Sequence, residues 1–375
     1  MKVLAIDIGT GTQDILLLDT EGTVENALKL IMPSPTLLVG RRVRQATKRC
    51  ASVLFEGVLM GGGPCAWALR DHAEAGLPTY ATPDAARTLD DDLERVAELG
   101  VVVVSEDEAA GLSVEEHIPA GDLMLEAVRA ALGAFGVPLE YNALAVAVFD
   151  HGDAPPGVSD RKFRFDYLRE VLSHGGLTAF AHRRGTVPPE MTRLLAVERS
   201  APEDASLVLM DTGPAAVLGA LEDPLVRVEE GESVIVANIG NFHALAFHLK
   251  GGLSAWEVAG LFEHHTGEVS SEYMERLLQD LGNGTLTNEE VFGSMGHGAL
   301  VLDAHAGPPS RLAVLGPQRN LLRGSRPDPY FAVPHGDQMV AGCFGLLRGL
   351  AAQLPEHAEQ VERVLSSSAV RQPDW

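Results

Sequence analysis

Short apolar runs alternate with stretches of helical period along this chain. The runs are Val3–Ile8, Asp14–Asp19, Val101–Ser105, Leu144–Phe149, Leu177–Ala181 and Leu207–Met210, then Ser233–Ala237, Ala244–Leu249 and Leu312–Leu315. Bounded by turn residues, they read as strands. Between them, Thr88–Leu99 predicts a helix closed by Gly100. Ser254–Glu257 forms a Ser-x-x-Glu capping box ahead of Val258, Leu261 and Phe262, and Thr287–Glu290 forms a second. Met274, Leu277, Leu278 and Leu281 recur at helical spacing and stop at Gly282. Loops rich in Pro and Gly fall at Gly152–Gly157 and Ala306–Ser310. Alternation of this kind predicts an α/β fold.

The first strand runs into a glycine pair, "VLAIDIGTGTQDILLLDTEG" (Val3–Gly22). A dinucleotide fold needs Gly-x-Gly-x-x-Gly opening a helix, with the third glycine letting helix and strand pack closely. Here Gly9 and Gly11 are followed by Asp14, and then by the unbroken run Ile15-Leu16-Leu17-Leu18 bounded by Asp-Thr-Glu-Gly. That predicts a second strand and a hairpin. A later stretch, "VIVANIGNFHALAFHL" (Val234–Leu249), repeats the pattern in register, with Asp7-Ile8-Gly9 answered by Asn238-Ile239-Gly240. An internal repeat of two glycine hairpins predicts two similar domains whose loop amides face each other as anion-binding nests.

Composition narrows the partners. At 375 residues and 46% apolar, the chain has material for two buried cores. A formal net charge of -23 repels phosphate backbones, so no nucleic-acid partner is expected. The one basic cluster, Gly40–Arg49, reads as a solvated face before it reads as a polyanion site. No apolar run is long enough to span a membrane, and the start lacks a signal-peptide cleavage pattern, so no membrane association and a cytoplasmic location are expected. Three scattered cysteines, Cys50, Cys65 and Cys343, fit a reducing compartment, and they lack the close array that an iron–sulfur cluster requires.

The paired hairpins resemble the actin, sugar-kinase and heat-shock-chaperone ATPase superfamily, and further segments follow its order. "DTGPAAVLGALED" (Asp211–Asp223) is similar to the small-residue helix that crosses between domains. "LAVLGPQRN" (Leu312–Asn320) is similar to the adenosine loop, and "GDQMVAGCFGLLRGLAA" (Gly336–Ala352) to the second crossing helix. The resemblance implies two ribonuclease H-like domains facing a central cleft, the first over 1–215 and the second over 216–375. It also implies ATP and Mg2+ as cofactors and a small-molecule acceptor as partner. Asp7 is the candidate metal and catalytic carboxylate, although it could simply cap a hairpin turn. Gly9, Thr10, Gly11 and Thr12 would cradle phosphate. Gln13 would orient a water or phosphate, or serve as a turn polar group. In the second loop Asn238, Gly240, Asn241 and His243 would face phosphate, His243 being equally readable as a buried structural histidine. Gly316 would border the adenosine.

Asn238 departs from the superfamily pattern, which places an aspartate there. Losing that charge weakens metal attraction while leaving amide contacts intact. Asp211 is the candidate replacement. Asp150, after the run Leu144–Phe149, is the candidate acceptor base, or a turn-initiating aspartate before Gly152. Gly61-Gly62-Gly63-Pro64 could line the same cleft or form a plain turn. His264, His265, His297 and His305 lack the His-x-x-x-His spacing of helical zinc sites. Adjacent histidines on a helix point apart, so lining the cleft or capping near Gly267 is the favoured role for His264 and His265.

A closer resemblance rests on "FDHG" (149–152), "DTGPAA" (211–216), "FEHHTG" (262–267) and "GHGAL" (296–300). These phrases are similar to a bacterial and archaeal family often labelled pyruvate formate-lyase activating enzyme. The label implies a radical enzyme acting on S-adenosylmethionine, which the cysteine spacing contradicts. The expectation is therefore an ATP-dependent phosphotransferase or slow ATPase. The alternative is a degenerate nucleotide- or ligand-sensing protein without turnover.

Overall fold

The computed structural model describes residues 1–251, 256–326 and 328–366. It opens with β1 (Lys2–Ile8), β2 (Thr12–Asp19) and β3 (Leu28–Pro33). Next come β4 (Val53–Gly57), β5 (Thr79–Ala81), β6 (Val102–Val103) and β7 (Glu116–Ala120), then β8 (Ala143–Val148), β9 (Ala181–Arg183) and β10 (Ser206–Asp211). The second half holds β11 (Ser233–Ile239), β12 (His243–Lys250), β13 (Glu257–His265), β14 (Gly298–Val301), β15 (Arg311–Leu315) and β16 (Tyr330–Phe331).

The first sheet has the order β3-β2-β1-β8-β10-β9, the second β14-β13-β12-β11-β15-β16. In each, a three-stranded antiparallel meander is followed by two parallel strands, β8 and β10 beside β1 and β15 and β16 beside β11. A sixth strand adds antiparallel at one edge, β9 on β10 in the first sheet and β14 on β13 in the second. This repeated topology is that of two ribonuclease H-like, actin-like units. A third, all-parallel sheet, β6-β5-β4-β7, is inserted between β3 and β8. The basic cluster lies on its first helix, Pro35–Lys48, whose arginines are on the exposed face.

Both faces of the two large sheets are buried, which is why their strands read as unbroken apolar runs. Parity decides the face. Val3 and Ala5 join the core shared by both sheets, while Leu4, Ile6 and Ile8 pack on the outer layer. Likewise Val234 and Val236 face the shared core, and Ile235, Ala237 and Ile239 the other side. Two helices run through the shared core. Thr212–Ala220 leaves β10 and packs on β11, whereas Ala341–Gln353 leaves the second half and packs on β1, β8, β9 and β10. They cross in near-backbone contact: a Cβ on Gly219 would fall 1.7 Å from the Ala341 carbonyl oxygen, and one on Gly345 would fall 1.8 Å from that of Ala215. Ala341–Gln353 thus covers the first sheet.

Other expectations are corrected locally. Leu177–Phe180 is a turn of 3-10 helix, and only Ala181–Arg183 pairs as a strand. The helix expected over Thr88–Leu99 starts at Leu93, because the Asp92 side chain accepts the Glu94 N–H and caps it there. Ser254 lies outside the described residues, and Glu257–His265 is a strand paired with β12 and β14, not a helix. Val258, Leu261 and Phe262 fit either period, and sheet partners on both edges decide for the strand. The helix Ser271–Gly282 and the Thr287 cap are as expected. Among the described residues, no helix is long and apolar enough to cross a membrane.

Candidate functional site

The two glycine loops close identically. The Gly9 N–H donates to the Thr12 carbonyl and the Gly240 N–H to the His243 carbonyl, each at 2.9 Å. Asp7 and Asn238 share parity with Val3 and Val234, so both aim at the face where the crossing helices lie. Asp7 sits between the two helix starts. Its Oδ1 accepts the Thr212 hydroxyl at 2.6 Å, and a Cβ on Gly342 would fall 1.9 Å from its Oδ2. Only glycine at that position leaves room for the carboxylate. Burial raises Asp7 to about 6, against the Thr212 hydrogen bond and helped by the charge of Asp211.

Directly across the hairpin stands Asp14, the register partner of Asp7. Its carboxyl is raised to about 8, first by burial and then by the neighbouring Asp7. Its buried Oδ1 lacks a hydrogen-bond partner. Two carboxylates on one face, one of them with an unanswered oxygen, are a fit for a hard cation held through oxygen and water. Asp14 escaped the sequence reading, yet the signal was there. Once Ile8 pairs with Gln13, Asp7 must pair with Asp14.

The hairpins enclose a cavity of about 120 Å³ lined by Asp7, Gly9, Thr10, Thr12, Asp14, Asn238, Gly240, Asn241, His243 and Gly316, among others. Eight expected phosphate- or adenosine-facing positions are thereby brought together with Asp7 or border it closely. Gly11 lies just outside, where a Cβ would meet the Asn241 Nδ2 at 2.2 Å. Trp67, from the inserted unit, packs on Phe242 with ring centroids 5.3 Å apart. A second space of about 1010 Å³ adjoins this cavity, lined by Gly61–Gly63, Asp91, Asp150, His151 and His265, and sharing Thr10, Phe149, Arg193, Phe242 and His243 with the first.

Three expected residues take other roles. Gln13 has the opposite parity to Asp14 and donates to the Pro33 carbonyl, so it is tied to β3. The Asp150 carboxylate accepts the Gly152 and Leu194 N–H groups, at 2.9 and 2.8 Å, pinning its loop to the helix Thr192–Ser200. Asp211 caps the helix that follows it, accepting the Gly213 N–H, and its carboxylate is gripped by the Arg164 guanidinium at 2.7 Å. Arg164 also holds Glu263 at 2.9 Å, and all three are almost wholly buried. Asp211 therefore reaches Asp7 through its charge, not as a ligand beside it.

The same region gathers histidines. Because Glu257–His265 is a strand, Glu263 and His265 share one face and His264 the other. His264 turns to Ser294 and Tyr273. His305 sits in a loop, outside this group. His151, His243 and His297 present ring nitrogens all within 4.8 Å of one another. The His243 ring stacks on Phe149 at 4.1 Å, and the Arg164 guanidinium lies 3.9 Å from the centroid of the same Phe149 ring. Burial drives all three imidazoles toward the neutral form, His151 down to about 3. Sequence spacing could not reveal this group, since its members come from three segments.

Residues 60–321 match the family described as "Putative pyruvate format-lyase activating enzyme (DUF1786)". No curated protein matches the chain. Among solved structures it is similar to a ROK family glucokinase from Streptomyces griseus, crystallised with glucose and AMPPNP. The identity is 12% over 92% of this chain and 98% of that one, with a TM-score of 0.32.

Proposed function

The chain belongs to the DUF1786 family, and from that premise we propose that it is a nucleotide-dependent phosphotransferase working at the paired hairpins. The observation that carries this reading is the Asp7–Asp14 pair set between two matching glycine loops and the starts of two helices. Loop amides and helix N-termini suit phosphate oxygens. Mg2+, held by Asp7 and Asp14, would neutralise the charge of a bound triphosphate. ATP is the proposed donor. Gly316 would border its adenosine, and Thr10, Thr12, Asn241 and His243 would line its phosphates. A cavity of about 120 Å³ is smaller than the roughly 300 Å³ at which small-molecule sites begin. Binding therefore opens the cleft, and the Trp67–Phe242 contact is where it parts.

The acceptor would occupy the adjoining space of about 1010 Å³, reached by the γ-phosphate past Thr10 and His243. Asp150 has both carboxylate oxygens engaged by N–H groups. Asp91 is the better-placed base on this wall, raised to about 6 by burial and by Asp153 and Asp160. The activase chemistry in the family's description does not fit these residues. Cys65 and Cys343 are buried with their thiols on the Gly61 and Asp14 carbonyls, and Cys50 is exposed in a separate element. No step is derived through an iron–sulfur cluster.

Asn238 favours a second reading, a nucleotide sensor that binds without turnover, because it removes one carboxylate from the cleft. The test is the thermal midpoint with and without Mg-ATP, for wild type and Asp7→Asn, followed by product analysis. A ligand at about 100 times its Kd adds roughly 2.7 kcal/mol. A shift confined to wild type supports nucleotide in this cleft, and product formation then separates transferase from sensor. No shift in either protein removes ATP from the account.

A further inference from the structure

We infer that His151, His243 and His297 form a binding site for a divalent transition-metal ion of the zinc type, joining the two halves of the molecule beside the hairpin cleft. The geometry carries this. In a tetrahedral centre with metal–nitrogen bonds of about 2.0–2.1 Å, the ligand nitrogens stand about 3.4 Å apart. Here the Nε2 atoms of His151 and His297 are 3.1 Å apart, and the third nitrogen, from His243, is within 4.8 Å of both. The Nδ1 of His297 lies 3.4 Å from the Glu263 Oε1. That nitrogen is buried and makes no hydrogen bond, so the carboxylate acts on it through charge alone, favouring the proton on Nδ1 and leaving Nε2 as the ligand atom.

The rings are held in advance. Phe149 stacks on His243, Arg164 lies over Phe149, and Arg164 grips the same Glu263 that faces His297. Arg164 answers two buried carboxylates, Asp211 and Glu263, which keeps Glu263 in place beside His297. Three neutral imidazoles with no carboxylate among them select a borderline transition metal over Mg2+. His151 follows β8 of the first sheet, while His243 begins β12 and His297 precedes β14 of the second. The metal thus clips the sheets together where they meet. Its remaining position faces the larger space that His151, His243 and His265 line, open to water or a substrate oxygen.

The test is a Co2+ titration of the full chain after exhaustive chelation, without nucleotide. One Co2+ per chain is expected, with visible absorption of a four- or five-coordinate ion. Stoichiometric Zn2+ should abolish it, and excess Mg2+ should not. His297→Ala and His151→Ala should lose it, while His305→Ala should keep it. Should the alanine variants fail to fold, X-ray absorption of the wild-type Co2+ form decides: three imidazole shells support the site. Absence of stoichiometric binding, survival of binding in His297→Ala and His151→Ala, or a shell without three imidazoles overturns it. The His151–His297 contact would then be an ordinary hydrogen bond. Because no nucleotide is present, failure here is distinguishable from failure of the phosphotransferase reading, which the Mg-ATP thermal shift tests.

Discussion

Replacing Asp14 by Asn should make the metal-free protein more stable at pH 8 and change it much less at pH 5. Asp14 is buried opposite Asp7, and its carboxyl is raised from 3.8 to about 8. Between those limits the folded state holds a proton that the unfolded state has released. Stability therefore falls as pH rises, by about 1.4 kcal/mol per pH unit for one such group. From pH 5 to pH 8 this amounts to about 4 kcal/mol, fully expressed because Asp14 is only 9% exposed. Asparagine keeps the shape without the charge, so that slope should disappear. Relief of Asp7, whose proximity contributes to the shift, adds to the gain. The assay is urea denaturation of both proteins in chelator at the two pH values, then at pH 8 with Mg2+. Millimolar Mg2+ should recover stability in wild type and not in Asp14→Asn. An equal effect of the substitution at both pH values, or none at pH 8, would refute the claim that two carboxylates are crowded and desolvated in the cleft.

Thr212→Val removes the hydroxyl that donates to the Asp7 Oδ1. A hydrogen bond to a charged group is worth about 1.5–3 kcal/mol, so Mg-ATP affinity should fall by about tenfold or more, read by calorimetry. Gly345→Ala places a Cβ 1.8 Å from the Ala215 carbonyl at the helix crossing. Forcing the helices apart should cost about 1–3 kcal/mol, read as a lower thermal midpoint. Arg164→Met leaves Asp211 and Glu263 buried without their guanidinium. The expected loss is about 3–5 kcal/mol, and Arg164→Lys should not restore it, since an ammonium cannot bridge both carboxylates as the planar fork does.

The hairpins were legible because everything that makes them lies within twenty residues: two apolar runs, a glycine turn and a strand period of two. The same parity, once the hairpin is accepted, sends Asp7 and Asn238 to one face and Gln13 to the other, and sets Asp14 against Asp7. The helix at Ser271–Gly282 was legible from its own spacing. At Glu257–His265 the local pattern was ambiguous, and pairing on both edges settled it as a strand. That single change put Glu263 and His265 on one face, beside the histidine group. The helix expected over Thr88–Leu99 failed at its start because an aspartate side chain captured a backbone N–H that the apolar spacing does not register.

By itself the sequence determined the α/β class, the repeated hairpin and the lack of a thiolate array, since each depends on residue types at short separation. The four phrases that carried the family resemblance, "FDHG", "DTGPAA", "FEHHTG" and "GHGAL", showed no common chemistry in one dimension. Only the tertiary structure decided that Asp211 of one meets Glu263 of another through Arg164, and that His151 meets His297 with His243 from the second hairpin. Parity says which face a side chain takes. Whether two faces meet depends on how closely the backbones pack, and here that rests on two helices crossing through Gly219 and Gly345, far from the groups they bring together.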